Sequence, residues 1–218
     1  MRLHLEVPVA APDSRARSAS GPDSTRASHD ARREVPYDCQ RRRWDVNPTS
    51  LSAGDWAVLG AVGEAPTHGF AVARLLAEDA PLGRVWTMRR QDVYQALKKL
   101  LKLELISERA TEPGDRGPKR TILAITPAGA SLLRQWLSEP VDHVRDVRSL
   151  LLLKLLLLDR SGASPIPLLD AQREKLTPLL EGLEALRLST DGFERVLAEW
   201  RVTSCRATLQ FIDDLLGG

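Results

Sequence analysis

The sequence predicts a mostly α-helical chain with one small β-hairpin, and three observations carry that expectation. Apolar residues recur at helical spacing through much of residues 51–103 and again from 127 onward. Only 106–110 and 120–126 read as strands, the second with β-branched Thr121, Ile122, Ile125 and Thr126. The stretch between them, "TEPGDRGPK", is rich in turn residues, so the two strands form a hairpin.

Composition narrows the function classes. The net charge is only +2 over 218 residues, so the molecule as a whole is no polycation. The charge is unevenly placed. Residues 84–120 hold ten Lys/Arg against five Asp/Glu, whereas 139–218 hold ten against thirteen. A basic segment on a near-neutral body predicts a localised anionic partner. The two cysteines, Cys39 and Cys205, form no C-x-x-C, and the four histidines are scattered singly, so no metal site is expected. There is no phosphate loop and no nucleophile motif; the chain reads as a non-enzyme without a cofactor. The start has no apolar run typical of a signal peptide. The longest apolar run, "LLLLKLLLL" at 150–158, is about half a membrane span and is interrupted by Lys154, so a cytoplasmic protein is expected.

Along the chain, residues 1–48 are rich in Pro, Ser, Asp and Arg and are expected to be disordered. Arg41, Arg42 and Arg43 beside Trp44 are candidates for a DNA-binding arm; a solvated tail or a misplaced start codon is the plainer reading. Ser52 is placed to cap a first helix carrying Trp56, Val58, Leu59 and Val62, ended by Gly63 and Pro66. "THGF" opens a second, with Phe70, Val72, Leu75 and Leu76 as its apolar positions; His68 is expected as a cap or core contact. A third runs over 89–103. After the hairpin, Thr126 caps a helix with Pro127 at its first position and Leu132, Leu133, Trp136 and Leu137 on its apolar face. Helices follow over 146–160, 168–188 and 193–216. Domain boundaries are therefore expected at 51–137 and 140–218.

The third helix is the informative one. With Gln91 as reference, Gln95, Lys98 and Lys102 fall within about 40° of it, while Val93, Leu97 and Leu100 fall at about 180–240°. One face suits a core; the other lines up amide and ammonium donors. Gln can pair with an adenine edge in the major groove and Lys can reach guanine or phosphate. Arg89 and Arg90 stand at the helix start, where recognition helices meet DNA. Arg116, Lys119 and Arg120 cluster at the hairpin. Three short helices followed by a hairpin make a winged helix-turn-helix, whose wing lies against phosphates or the minor groove.

Residues 51–137 resemble the winged-helix domain of PadR-type transcriptional regulators. The resemblance is carried by "HGF" (68–70), "VYQALKKL" (93–100), "LELI" (103–106), "RTILAITPAG" (120–129), Trp136 and Leu137. It implies that Tyr94 sits on the recognition helix with Lys98 and Lys99 as the basic pair after it, and that the helices beyond 140 form a dimerisation region. Three departures stand out. The family prefers a small cap where Arg89 stands, so the helix start is expected to slip towards Thr87. It prefers Gly at the left-handed exit where Glu104 stands, and Tyr in the wing strand where Leu123 stands.

The expected function is a dimeric, sequence-specific regulator, a repressor on a near-palindromic double-stranded operator. Leu151, Leu152, Leu155, Leu156, Phe193 and Trp200 are its dimerisation residues. A small-molecule effector is a further expected partner, with Trp200 as either packing or pocket lining; no membrane partner is expected. The rival is a protein-interaction module that uses the winged helix only as a scaffold. Exposure of the polar stripe and the wing arginines on one face separates the two.

Overall fold

The computed structural model describes residues 51–112 and 120–217. The tail 1–48, with Arg41–Arg43, and the hairpin-tip residues Arg116 and Lys119 lie outside the described residues.

Helix α1 (Ala53–Glu64) starts at a reciprocal cap. The Ser52 Oγ accepts from the Asp55 N–H at 3.2 Å, and the Asp55 carboxylate accepts from the Ser52 N–H at 2.8 Å. Every residue from Gly54 to Val62 is buried, so α1 is the central rod of the winged helix. It runs through Gly63 to Glu64 before Ala65 turns extended ahead of Pro66. Helix α2 (Gly69–Leu75) is capped by the His68 ring, whose Nδ1 accepts from the Ala71 N–H at 3.2 Å.

Helix α3 (Arg90–Lys102) buries Val93, Ala96, Leu97 and Leu100. Arg89 is its N-cap and makes no side-chain capping bond; the start does not slip to Thr87. Its exit is a Schellman turn. The Leu105 N–H reaches the Leu100 carbonyl and the Glu104 N–H the Leu101 carbonyl, both at 3.0 Å. This turn puts Glu104 at φ 55°, the one left-handed non-glycine among the described residues.

Strands β1 (Ile106–Glu112) and β2 (Arg120–Ile125) pair antiparallel from Ile106↔Ile125, with a bulge at Arg109. Thr67 adds a third, one-residue bridge by exchanging two backbone hydrogen bonds with Leu123. Helix α4 (Pro127–Ser138) follows, capped by Thr126, whose hydroxyl also donates to the Glu104 carbonyl at 2.8 Å. Trp136 of α4 stacks on Trp56 of α1, ring centroids 4.6 Å apart.

Beyond α4 a helical run comprises α5 (Val144–Asp146), a π-helical segment (Val147–Leu151) and α6 (Leu152–Ser161). Three residues at one-turn intervals on α6 meet α1 and α4. Lys154, only 3% exposed, donates to the Trp136 and Glu139 carbonyls, each at 2.5 Å. Leu157 packs over Gly60, where a Cβ would lie 2.6 Å from both its methyl carbons. Arg160 grips Glu64 with two hydrogen bonds. The core is accordingly continuous from Leu51 to Leu168, and all the described residues belong to a single compact unit. The expected boundary at 138–140 is a change of element, not a gap in the core. Buried Gln172 holds this connection too, exchanging two hydrogen bonds with the Val141 backbone.

Helices α7 (Ile166–Ser189) and α8 (Gly192–Gly217) form an antiparallel hairpin. The ion pairs Arg173–Asp213, Arg187–Glu199 and Arg206–Glu184 run in opposite chain directions, and Leu169, Leu176, Cys205 and Ile212 fill the seam.

Two measurements check this account. Glu104→Gly removes a left-handed strain of about 1–2 kcal/mol at the cost of a freer unfolded chain. Its urea midpoint should rise by an amount equivalent to about 1 kcal/mol with an unchanged slope. The second concerns pH. Burial pushes the Lys154 ammonium from 10.5 down to about 8, with Glu139 and Asp142 opposing the fall. The fold therefore favours the neutral amine. Its burial cost is present in full below pH 8 and is relieved as the pH rises from about 8 towards 10.5. The stability of the parent minus that of Lys154→Met should grow across that window, by up to about 3 kcal/mol, in urea titrations at stepped pH.

Candidate nucleic-acid interface

The opposed faces of α3 set up the site. With Val93, Leu97 and Leu100 in the core, Arg90, Gln91, Gln95, Lys98 and Lys102 are all exposed, as is Arg89 just before them. Arg120, also exposed, starts β2 and lines one groove with Arg90, Tyr94 and Lys98. That groove, about 520 Å³, runs between α2, α3 and the hairpin; Glu108 is the acid on its wall.

Lys99 stands apart from this stripe. Its ammonium lies 2.6 Å from the Asp55 carboxylate, the buried group that caps α1. The two basic residues that the resemblance pairs thus face different ways. Lys98 is exposed, and Lys99 ties α3 to the central rod.

Phe70 departs from expectation. Placed by sequence on the apolar face of α2, it is 47% exposed. Val72 and Leu76, four residues apart, define the buried face, and Phe70 stands two residues before Val72, on the opposite side. That spacing was the available signal. Phe70 stacks near the His68 ring, centroids 6.4 Å apart. The Arg90 guanidinium carbon lies 5.1 Å from the Phe70 ring centre and 5.7 Å from that of Tyr94. Tyr94 is itself 43% exposed. Gly69 permits this cluster, since a Cβ there would come within 2.9 Å of the Tyr94 ring.

The predicted dimerisation residues divide. Leu151 is fully buried within the chain's own core and offers no surface to a second copy. Leu152, Leu155 and Leu156 are half-buried. Phe193 and Trp200 are 77% and 69% exposed. With Val196 they form an apolar stripe at i, i+3 and i+7 on α8 that is exposed among the described residues. Trp200 also stands at the rim of an open groove of about 1200 Å³, lined by Trp86, Leu152, Leu183, Arg201 and Phe211. Among the described residues no His/Cys/Asp/Glu group could hold a metal ion, and no helix is long and apolar enough to cross a membrane.

Comparison with known proteins adds a family. Residues 58–135 match the model of the transcriptional regulator PadR-like family. No curated protein sequence matches the chain. Among solved structures, Bacillus subtilis PadR in complex with operator DNA is 19% identical over 75% of this chain and 96% of its own, with a TM-score of 0.39. The same protein in complex with p-coumaric acid is 18% identical over 76% and 98%, TM-score 0.37. The protein smu.1604c from Streptococcus mutans UA159 is 17% identical over 76% and 99%, TM-score 0.36.

Proposed function

We propose that the chain is a transcriptional regulator of the PadR-like family, whose model residues 58–135 match, and that it is a dimeric repressor that reads a near-palindromic operator with α3. The family is one of regulators, not enzymes. The observation that carries the proposal is the donor stripe Gln91, Gln95, Lys98 and Lys102. It stays exposed on a helix whose opposite face is locked in the core. A scaffold for protein contacts needs no such line of amides and ammoniums beside Arg120. In this reading residues 51–137 bind DNA, with Arg116 and Lys119 on the wing, and residues 140–218 pair two copies. The α8 stripe Phe193, Val196 and Trp200 is the surface for the second copy, because an exposed apolar patch of this kind is covered in a stable soluble protein. Two-fold pairing then sets two copies of α3 about one DNA turn apart. The groove beside Trp200 is the place for a small effector with an aromatic part, since Trp86, Trp200 and Phe211 supply faces for it.

Fragments of the source genome that the protein retains give the operator, with its own promoter the first to examine. Lys98→Ala and Lys102→Ala should weaken binding to operator and random duplex alike and lower the salt slope by about one each. Gln95→Ala should cost roughly 1–3 kcal/mol on the operator and much less on random DNA. If all three bind both duplexes as the parent does, α3 enters no groove. Separately, Phe193→Glu and Trp200→Glu together should halve the mass in solution while leaving the helical signal intact. An unchanged mass removes the α8 stripe from the interface.

A further inference from the structure

Helix α3 carries more than a row of donors. Arg90 is held. Its guanidinium lies within cation–π range of two exposed rings, Phe70 from α2 and Tyr94 one turn along α3. The two rings border the guanidinium, and its N–H groups have no carboxylate partner among the described residues. It is also the first residue of α3, the position from which recognition helices reach base edges.

We propose that Phe70 and Tyr94 clamp Arg90 so that its fork reads a guanine edge in the major groove, with Phe70 a positioning residue outside the recognition helix. The inference rests on α3 being the recognition helix. The chemistry favours a base over a phosphate. A planar fork restrained by two rings matches the O6 and N7 acceptors of guanine side by side, whereas a phosphate is served as well by an unrestrained point charge. The supporting frame is built in. His68 caps α2 and lies beside Phe70, and Gly69 lets the start of α2 close on Tyr94. Nothing in the core demands an aromatic at 70, because this side chain is half in solvent.

The probe is a pool of duplexes with a randomised stretch of about two DNA turns, sequenced before and after selection on the dimer. For the parent, the selected set should carry guanine at a symmetric pair of positions. Arg90→Lys should flatten the preference at those positions alone. Phe70→Leu, which keeps an apolar side chain without a π face, should lower guanine enrichment at the same positions by about tenfold, and Phe70→Tyr should retain it. Circular dichroism melts confirm that each variant is folded. Parent-like guanine preference in Phe70→Leu overturns the clamp. So does an Arg90→Lys variant that keeps the parent's guanine preference and salt slope while Arg90→Ala weakens binding to every sequence with a slope smaller by about one, the mark of a phosphate contact. A parent that enriches no sequence overturns the recognition-helix reading, and the clamp with it.

Discussion

One buried ammonium joins the two halves of this fold. Lys154 sits inside a run of leucines, yet its Nζ is spent on the last carbonyls of α4 and on the face of Trp136, 4.5 Å from the ring centre. Those carbonyls stand at the C-terminal end of a helix, so a cation there adds hydrogen bonds to them and suits the helix dipole. Trp136 in turn stacks on Trp56 of α1. Burying a charge is costly, and good partners in a fixed geometry offset only part of that cost, which is why the ammonium's pKa falls to about 8. Leu157 on Gly60 and Arg160 on Glu64 repeat the contact one and two turns along. A leucine in place of Lys154 would pack, but it would remove the lysine's donor from the Glu139 carbonyl and leave the Trp136 carbonyl with only the Glu139 N–H.

The consequence is mechanical. The exposed donor stripe is on α3, and α3 is tied to α1 by Lys99–Asp55 and by its own apolar face. The uncovered apolar stripe is on α8, whose partner α7 anchors the connection through Gln172. Between them stands a continuous core rather than a flexible linker. In a dimer paired through α8, the separation of the two α3 helices would follow from packing. A small shift at the α4–α6 junction would then be felt at the DNA surface, because packed interiors transmit displacement rather than absorb it.

Much of this could be read locally. Ser52 and Asp55, Thr126 and Pro127, and the alternation of polar and apolar residues on α3 act within four residues of one another, and periodicity exposes them. Glu104 is a sharper instance. A family preference for Gly pointed to a left-handed exit, and the backbone adopts it although a glutamate stands there. What escaped was decided at a distance. The partners of Lys154 lie fifteen and eighteen residues away, so in the sequence it looks like an interruption of a leucine run. Lys99 finds its carboxylate forty-four residues earlier. Leu151 and Leu152 are adjacent and chemically identical; only the packing of α1 and α4 decides which of them is fully buried.

The π-helical segment draws these threads together. A π turn widens the helix and is seldom kept without a local reason. Here it lies between the connection held by Lys154 and Gln172 and the groove beside Trp200, and Val147, Arg148 and Ser149 of this segment line that groove. Trp86, on the stretch leading into α3, lines the same groove and also the smaller cavity against Trp136 and Lys154. A molecule seated in the groove would therefore bear at once on the irregular turn, on the anchored junction and on the approach to the recognition helix. The physical requirement for linking a ligand to DNA release is a difference in its contacts between two arrangements of such an element. The π segment, packed against the groove on one side and the core on the other, is the element in this fold best placed to have two.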